Sequence, residues 1–131
     1  MKIKIFLSGI IIALIFSISG CGDSDKELKK NAKDFADKVC RNIEIIQKLR
    51  ATNPADSLSI QKLQEERQRV DSEMMVLSNE FKKKYGDKVK NPEFIKEYRK
   101  FLNESMLDCK FLSKEDRANF ERELKKVDSA K

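Results

Sequence analysis

The chain has 131 residues, with 28 Lys and Arg against 22 Asp and Glu, a net charge of +6, and no histidine or tryptophan. The missing histidine excludes zinc sites of the usual Cys/His kind and catalysis by Ser-His-Asp or Cys-His groups. The basic excess is mild and mixed with acids, without the clustered cations and interleaved aromatics of a nucleic-acid binder, so no nucleic acid is expected as a partner.

Residues 1–21 stand apart from the rest. Lys2 and Lys4 make a basic start, an apolar run broken only by Ser8, Gly9 and Ser17 follows, and Ile18-Ser19-Gly20-Cys21 closes it. That order marks a cleaved secretory signal. The run falls short of the roughly 20 apolar residues that a membrane-spanning helix needs. Its end resembles the lipobox of bacterial lipoproteins, in which an aliphatic residue and two small residues precede a cysteine. The resemblance covers the signal alone. It implies cleavage before Cys21, a lipid on the Cys21 sulfur and an acyl group on its amine. It also implies a lipid-anchored place in the bacterial cell envelope, outer membrane favoured, with the domain outside the cytoplasm. Two or more acyl chains give stable attachment where one is marginal. An ordinary secretory signal with a chance cysteine is the alternative.

This reading divides the chain into a signal peptide (1–20), the lipidated cysteine with a polar tether (21–26) and a helical domain (27–131). After Gly22 the only glycine is Gly86, and the only prolines are Pro54 and Pro92. Such a chain has few means of making hairpin turns, and its Lys, Glu, Leu and Arg content favours helices. The expected fold is all-α, an up-down-up helical bundle of three helices plus a short fourth helix.

The first helix is expected near 26–51. Leu28, Ala32, Phe35, Val39, Ile46 and Leu49 form one stripe of coiled-coil-like period, with Asn42 inside it. Asn53-Pro54 then ends this helix and opens a second at about 54–85, with Asn as N-cap and Pro in the first turn. Ile60, Arg67, Met74 and Phe81 repeat every seventh residue, as do Leu63, Val70 and Leu77. These are seam positions of a bundle, from which Arg67 reaches outward. Gly86 sits where a left-handed residue stops a helix. Asn91-Pro92 repeats the start signal for a third helix to Phe111, and Ser113 with Asp116 caps a fourth to about Val127. The expected core comprises Phe35, Val39, Ile46, Leu63, Val70, Leu77, Tyr98, Leu102 and Leu124.

Cys40 and Cys109 remain after lipidation. Two thiols in an exported domain favour a disulfide. With a rise of about 1.5 Å per residue, the two arrive within about one turn of each other in height if the first and third helices run the same way. Two buried free thiols are the alternative, and a redox pair is disfavoured because the two do not form a C-x-x-C.

No Gly-rich phosphate loop occurs. Carboxylate pairs such as Glu65-Glu66 and Glu115-Asp116 lie in mixed-charge stretches that read as solvated helix faces. No catalytic residue, metal site or cofactor is therefore expected. Lys82, Lys83, Lys84, Lys88 and Lys90 form the strongest basic cluster and a possible contact with an anionic surface, against the plainer reading that lysines complement the dipole at a helix end. Three function classes follow. The favoured one is a membrane-anchored, non-enzymatic helical module for protein interaction or structure, with a protein partner. The others are a binder of anionic lipid or polymer through the lysine-rich bundle end, and an enzyme of unfamiliar type.

Overall fold

The structure is a computed structural model that describes residues 6–129, with side chains from residue 24 onward apart from Asp128. Lys2 and Lys4, read as the basic start of a signal, lie outside the described residues, as does the side chain of Cys21. Four α-helices make up the described chain: α1 (Phe6–Ala51), α2 (Ser57–Tyr85), α3 (Pro92–Met106) and α4 (Lys114–Ser129). A 3-10 turn, Gly86–Lys90, joins α2 to α3, and among the described residues there is no strand. The chain is all-α, a helical bundle. Helix α1 runs without a break through residues 21–26, the stretch read as a tether.

Helix α1 packs against both α2 and α3, and α4 packs against α3. Partners along α1 and α2 run in opposite order: Glu27 meets Lys84, Lys38 meets Glu73, and Arg41 meets Glu66. Along α1 and the α3 region they run in the same order: Asn31 with Tyr98, Cys40 with Cys109, and Gln47 with Phe111. Among the described residues no Cα of α2 comes within 8 Å of α3. Aromatic rings fill the gap instead. Phe81 lies 4.5 Å from Tyr98 and 6.1 Å from Phe94, and Tyr85 lies 5.2 Å from Phe94, measured between ring centroids. Tilted rings at such spacings place positive edges near negative faces and stabilise the cluster beyond the area it buries.

The start of α2 is a correction. The helix begins at Ser57, not Pro54. The Asn53 side chain accepts from Ala55 N at 3.0 Å, and Asp56 N donates to Asn53 O at 2.9 Å, so Asn53-Pro54 builds a turn. Asp56 is the N-cap, accepting from Ser59 N at 3.1 Å. The connection must turn the chain before a helix can start, and an Asx turn beside proline does so locally. The end of α3 is a second correction. It stops at Met106 rather than Phe111, and the next amides bond three residues back, Asp108 to Ser105 O and Cys109 to Met106 O. Tightening of this kind satisfies carbonyls at a helix end. The Arg117 guanidinium donates to Leu107 O at 2.6 Å and to Cys109 O at 2.9 Å, which ties α4 to the end of α3.

Three end signals work as expected. Gly86 has φ of +47° and its N–H donates to Lys82 O. The Asn91 side chain accepts from Glu93 N at 2.9 Å ahead of Pro92. Ser113 Oγ accepts from Asp116 N at 3.0 Å and donates to the Asp116 carboxylate at 2.7 Å.

The core differs from the expected one in a way the packing explains. The buried side chains are Leu28, Ala32, Ala36, Ile45, Val70, Tyr85, Met106 and Cys109. Of the nine residues expected there, Val70 is buried and the others are half-buried. Ala36 and Ile45 are nine residues apart, about two and a half turns, and so lie on opposite sides of α1. Ala36 shares the side of Cys40, which faces α3. Ile45 shares the side of Lys38 and Arg41, which faces α2. A helix held from two sides buries both flanks, at Ala36 and Ile45, as well as the stripe between them, at Leu28 and Ala32. Farther along that stripe Phe35, Val39 and Ile46 are half-buried.

Candidate functional site

Three features bear on function: the cysteine bridge, the outer face of α2 and the lysine-rich end. The bridge joins Cys40 of α1 to Cys109 just past α3, with Cα atoms 5.6 Å apart. That spacing is within the range a disulfide requires. Cys109 is buried, and its carbonyl is held by Arg117. The bond pins the loop after α3 to the middle of α1.

The α1–α2 seam is charged. Lys38 pairs with Glu73, and Arg41 Nε donates to Glu66 at 3.0 Å while its other nitrogens reach Glu66 and Glu44. Asn42 Nδ2 donates to Asp71 Oδ1 at 2.8 Å, while the Asn42 amide oxygen is buried without a partner. Hydrogen bonds from Lys48 and then Arg41 hold the Glu44 carboxyl below its ordinary value, and Lys38 does the same for Glu73. An open groove of about 620 Å³ runs along this seam, lined by Asp34, Asp37, Lys38, Arg69, Glu73 and Val76 among others. Its charges are largely spent on each other, as in the Lys33–Asp37 and Lys38–Glu73 pairs.

Helix α2 turns its outer face to solvent. The large apolar side chains that stand exposed are Leu58 (62%), Met75 (67%) and Val76 (55%), all on this helix. Arg67 is exposed too, so it leaves the seam as expected. Scattered exposed apolar residues are ordinary. Met75 and Val76 are adjacent, however, and each is more than half uncovered.

At the end of α2, Lys82, Lys83, Lys84, Lys88 and Lys90 are all exposed. Lys84 pairs with Glu27 of α1, and Lys90 pairs with Asp87 at 2.7 Å. Lys84 also sits 5.9 Å from the ring centroid of Tyr85, a cation–π contact. Beneath it the Tyr85 hydroxyl is buried without a hydrogen-bond partner, and burial raises its pKa. The Glu27–Lys84 pair brings the cluster beside α1, where Lys30 shares a hollow with Glu27 and Lys84, while Lys26 and Lys29 lie at the same end on the flank toward α3, Lys29 5.9 Å from the Phe101 ring centroid; all three are exposed. Sequence reading along the second helix misses these three. The signal that finds them is the opposed direction of the first two helices, which lays the end of one beside the start of the other.

Cys21 falls within α1, and its side chain is outside the described residues. Among the described residues no helix is long and apolar enough to cross a membrane. No group of three or more Cys, Asp or Glu among them is placed to hold a metal ion. The chain matches no family model, no curated protein and no solved structure.

Proposed function

We propose that this protein is a lipid-anchored lipoprotein of the bacterial cell envelope, outer membrane favoured, that works without catalysis as a helical module binding another protein. In this reading residues 1–20 are a signal peptide removed before Cys21, and Cys21 carries the lipid. The domain is an up-down-up bundle with α4 returning along α3. The opposed order of partners between α1 and α2, and the parallel order between α1 and the α3 region, support that arrangement.

The observation that carries the interaction reading is the outer face of α2. Leu58, Met75 and Val76 are uncovered there, and exposed apolar side chains on a rigid helix serve recognition through helix faces.

The test uses protein purified with its native lipid from its own envelope, with interacting proteins captured and identified. Met75→Glu combined with Val76→Glu is expected to lose the partner while the helical spectrum and the disulfide stay. Identical capture by both proteins overturns the α2 face. Normal processing and membrane retention of a Cys21→Ala protein overturns the lipid anchor.

A further inference from the structure

The lysine-rich end of the bundle has a property that helix-end chemistry does not explain. Lysines at the end of α2 complement its dipole, but Lys26, Lys29 and Lys30 lie in the first turns of α1 once residues 1–20 are removed, the end at which a helix dipole disfavours cations. Residues 24–30 and 82–93 together hold eight lysines and four carboxylates. Elsewhere in the mature chain cations and acids balance one for one. These two segments thus carry an excess of four positive charges. Asp23 and Glu80, at their borders, reduce the excess without reversing it. Among the described residues Lys82, Lys83 and Lys88 have no ion-pair partner.

The position of this end relative to Cys21 gives the charge its meaning. Glu27 follows Cys21 by six residues of the same helix, a rise of about 9 Å. Lys84 is at the level of Glu27, and the 3-10 turn with Lys88 and Lys90 runs on from there. The Debye length at physiological ionic strength is about 8 Å. A lipid on Cys21 therefore places these lysines within reach of the membrane's own surface potential, without a long leash to carry them away.

We propose that this end docks on the anionic headgroups of the membrane that holds the lipid, and so fixes the bundle upright with the α2 face held out from the surface. The proposal rests on the Cys21 lipid anchor. It names a second, electrostatic contact beside the acyl chains, in the way juxtamembrane lysines bind anionic lipid.

The test reconstitutes the full lipidated protein in vesicles of zwitterionic lipid alone or with about a third anionic lipid, and measures acylation of each lysine by a membrane-impermeant reagent. In anionic vesicles at low salt, labelling of Lys82, Lys83 and Lys88 is expected to fall severalfold, and to recover near 1 M salt, where the Debye length is about 3 Å. Lys62, near the other end of α2, is expected to label equally in both. A Lys82→Gln, Lys83→Gln, Lys88→Gln protein is expected to float with either vesicle and to show weaker protection of Lys26 and Lys90. Equal labelling of the cluster in the two vesicles overturns the headgroup contact. Protection by soluble polyglutamate but not by anionic vesicles overturns it too, in favour of an acidic polymer. Failure of the anchor itself reads differently: the protein then does not float with zwitterionic vesicles.

Discussion

Helix α1 is held by different chemistry on its two sides. Toward α2 it offers Lys38, Arg41 and Asn42 to Glu73, Glu66 and Asp71. Toward α3 it offers Cys40 to Cys109, the buried Ala36, and Asn31 to the Tyr98 hydroxyl at 3.1 Å. The charged contacts of the α2 side are reversible, titratable and screened by salt. The Cys40–Cys109 bridge on the α3 side is covalent and indifferent to both. A domain built this way keeps α1 and α3 as a fixed frame. Its α2 side, which carries the exposed Met75 and Val76, answers to solution conditions.

The sharpest way to break this comparison is to remove the covalent side. The bridged residues are 69 apart in sequence, and closing a loop of that size stabilises by on the order of 4 kcal/mol in the chain-entropy model. Cys40→Ser with Cys109→Ser is expected to lower the thermal midpoint by roughly 20 °C while keeping the helical spectrum. Mass spectrometry of the unreduced protein is expected to show the two peptides linked. A melting curve unmoved by reductant would mean that the frame stands without its bond.

The next largest effect belongs to the α2 side, and it is apolar. Ile45 is completely buried, on the flank of α1 shared with Lys38 and Arg41. Ile45→Ala is expected to cost about 3 kcal/mol through lost burial and the cavity left behind. Urea unfolding would measure it. The charged partners around it are exposed enough for water to compete. A double-mutant cycle on Arg41→Met and Glu66→Gln is expected to give a coupling below about 1 kcal/mol, shrinking further in salt. If the cycle gave more than the Ile45 deletion, the seam would be held by charge and not by burial.

The legible parts of this fold were those that depend on a few neighbouring residues. Gly86, Asn91-Pro92 and Ser113 mark helix ends because each satisfies or frees backbone groups within one turn. The cysteine pair was legible because helix rise and helix direction bring the two positions to about one height. What the sequence did not show was set by contacts between elements. Asn53-Pro54 reads equally well as a helix start or as a turn, and the need to reverse the chain decides for the turn. The loop after α3 closes early because Arg117, ten residues beyond Leu107, takes its carbonyls. The stripe through Phe35, Val39 and Ile46 follows the right period, but a period cannot tell one packing partner from two. Ile45 and Ala36, off the stripe, are buried as deeply as Leu28 and Ala32 on it only once α1 has a neighbour on each flank. Lys30 joined the lysine cluster by the same kind of contact, beside Glu27 and Lys84.

The smallest expected effect separates the two sides of α1 most cleanly, because only one of them titrates. Glu73 is held below its ordinary carboxyl value of 4.5 by its hydrogen bond to Lys38, and Glu44 by Lys48 and Arg41. A carboxyl depressed in the folded state adds stability above its unfolded pKa, and that stability is lost as pH falls through the lower folded value. The α1–α2 seam is therefore expected to loosen below about pH 4.5. Lys38→Gln removes the first cause of the Glu73 shift, so its deficit in thermal midpoint is expected to be present at neutral pH and to shrink toward zero as pH drops below that range. The deficit of the double cysteine variant has no such dependence, because bridged cysteines do not titrate. Melting curves of the three proteins across this pH range would show the wild type and Lys38→Gln converging while the cysteine variant stays apart. A Lys38→Gln deficit that persisted undiminished in acid would assign its origin to the packing of the lysine stem along the groove, and the division of α1 into a titratable and a covalent side would fail.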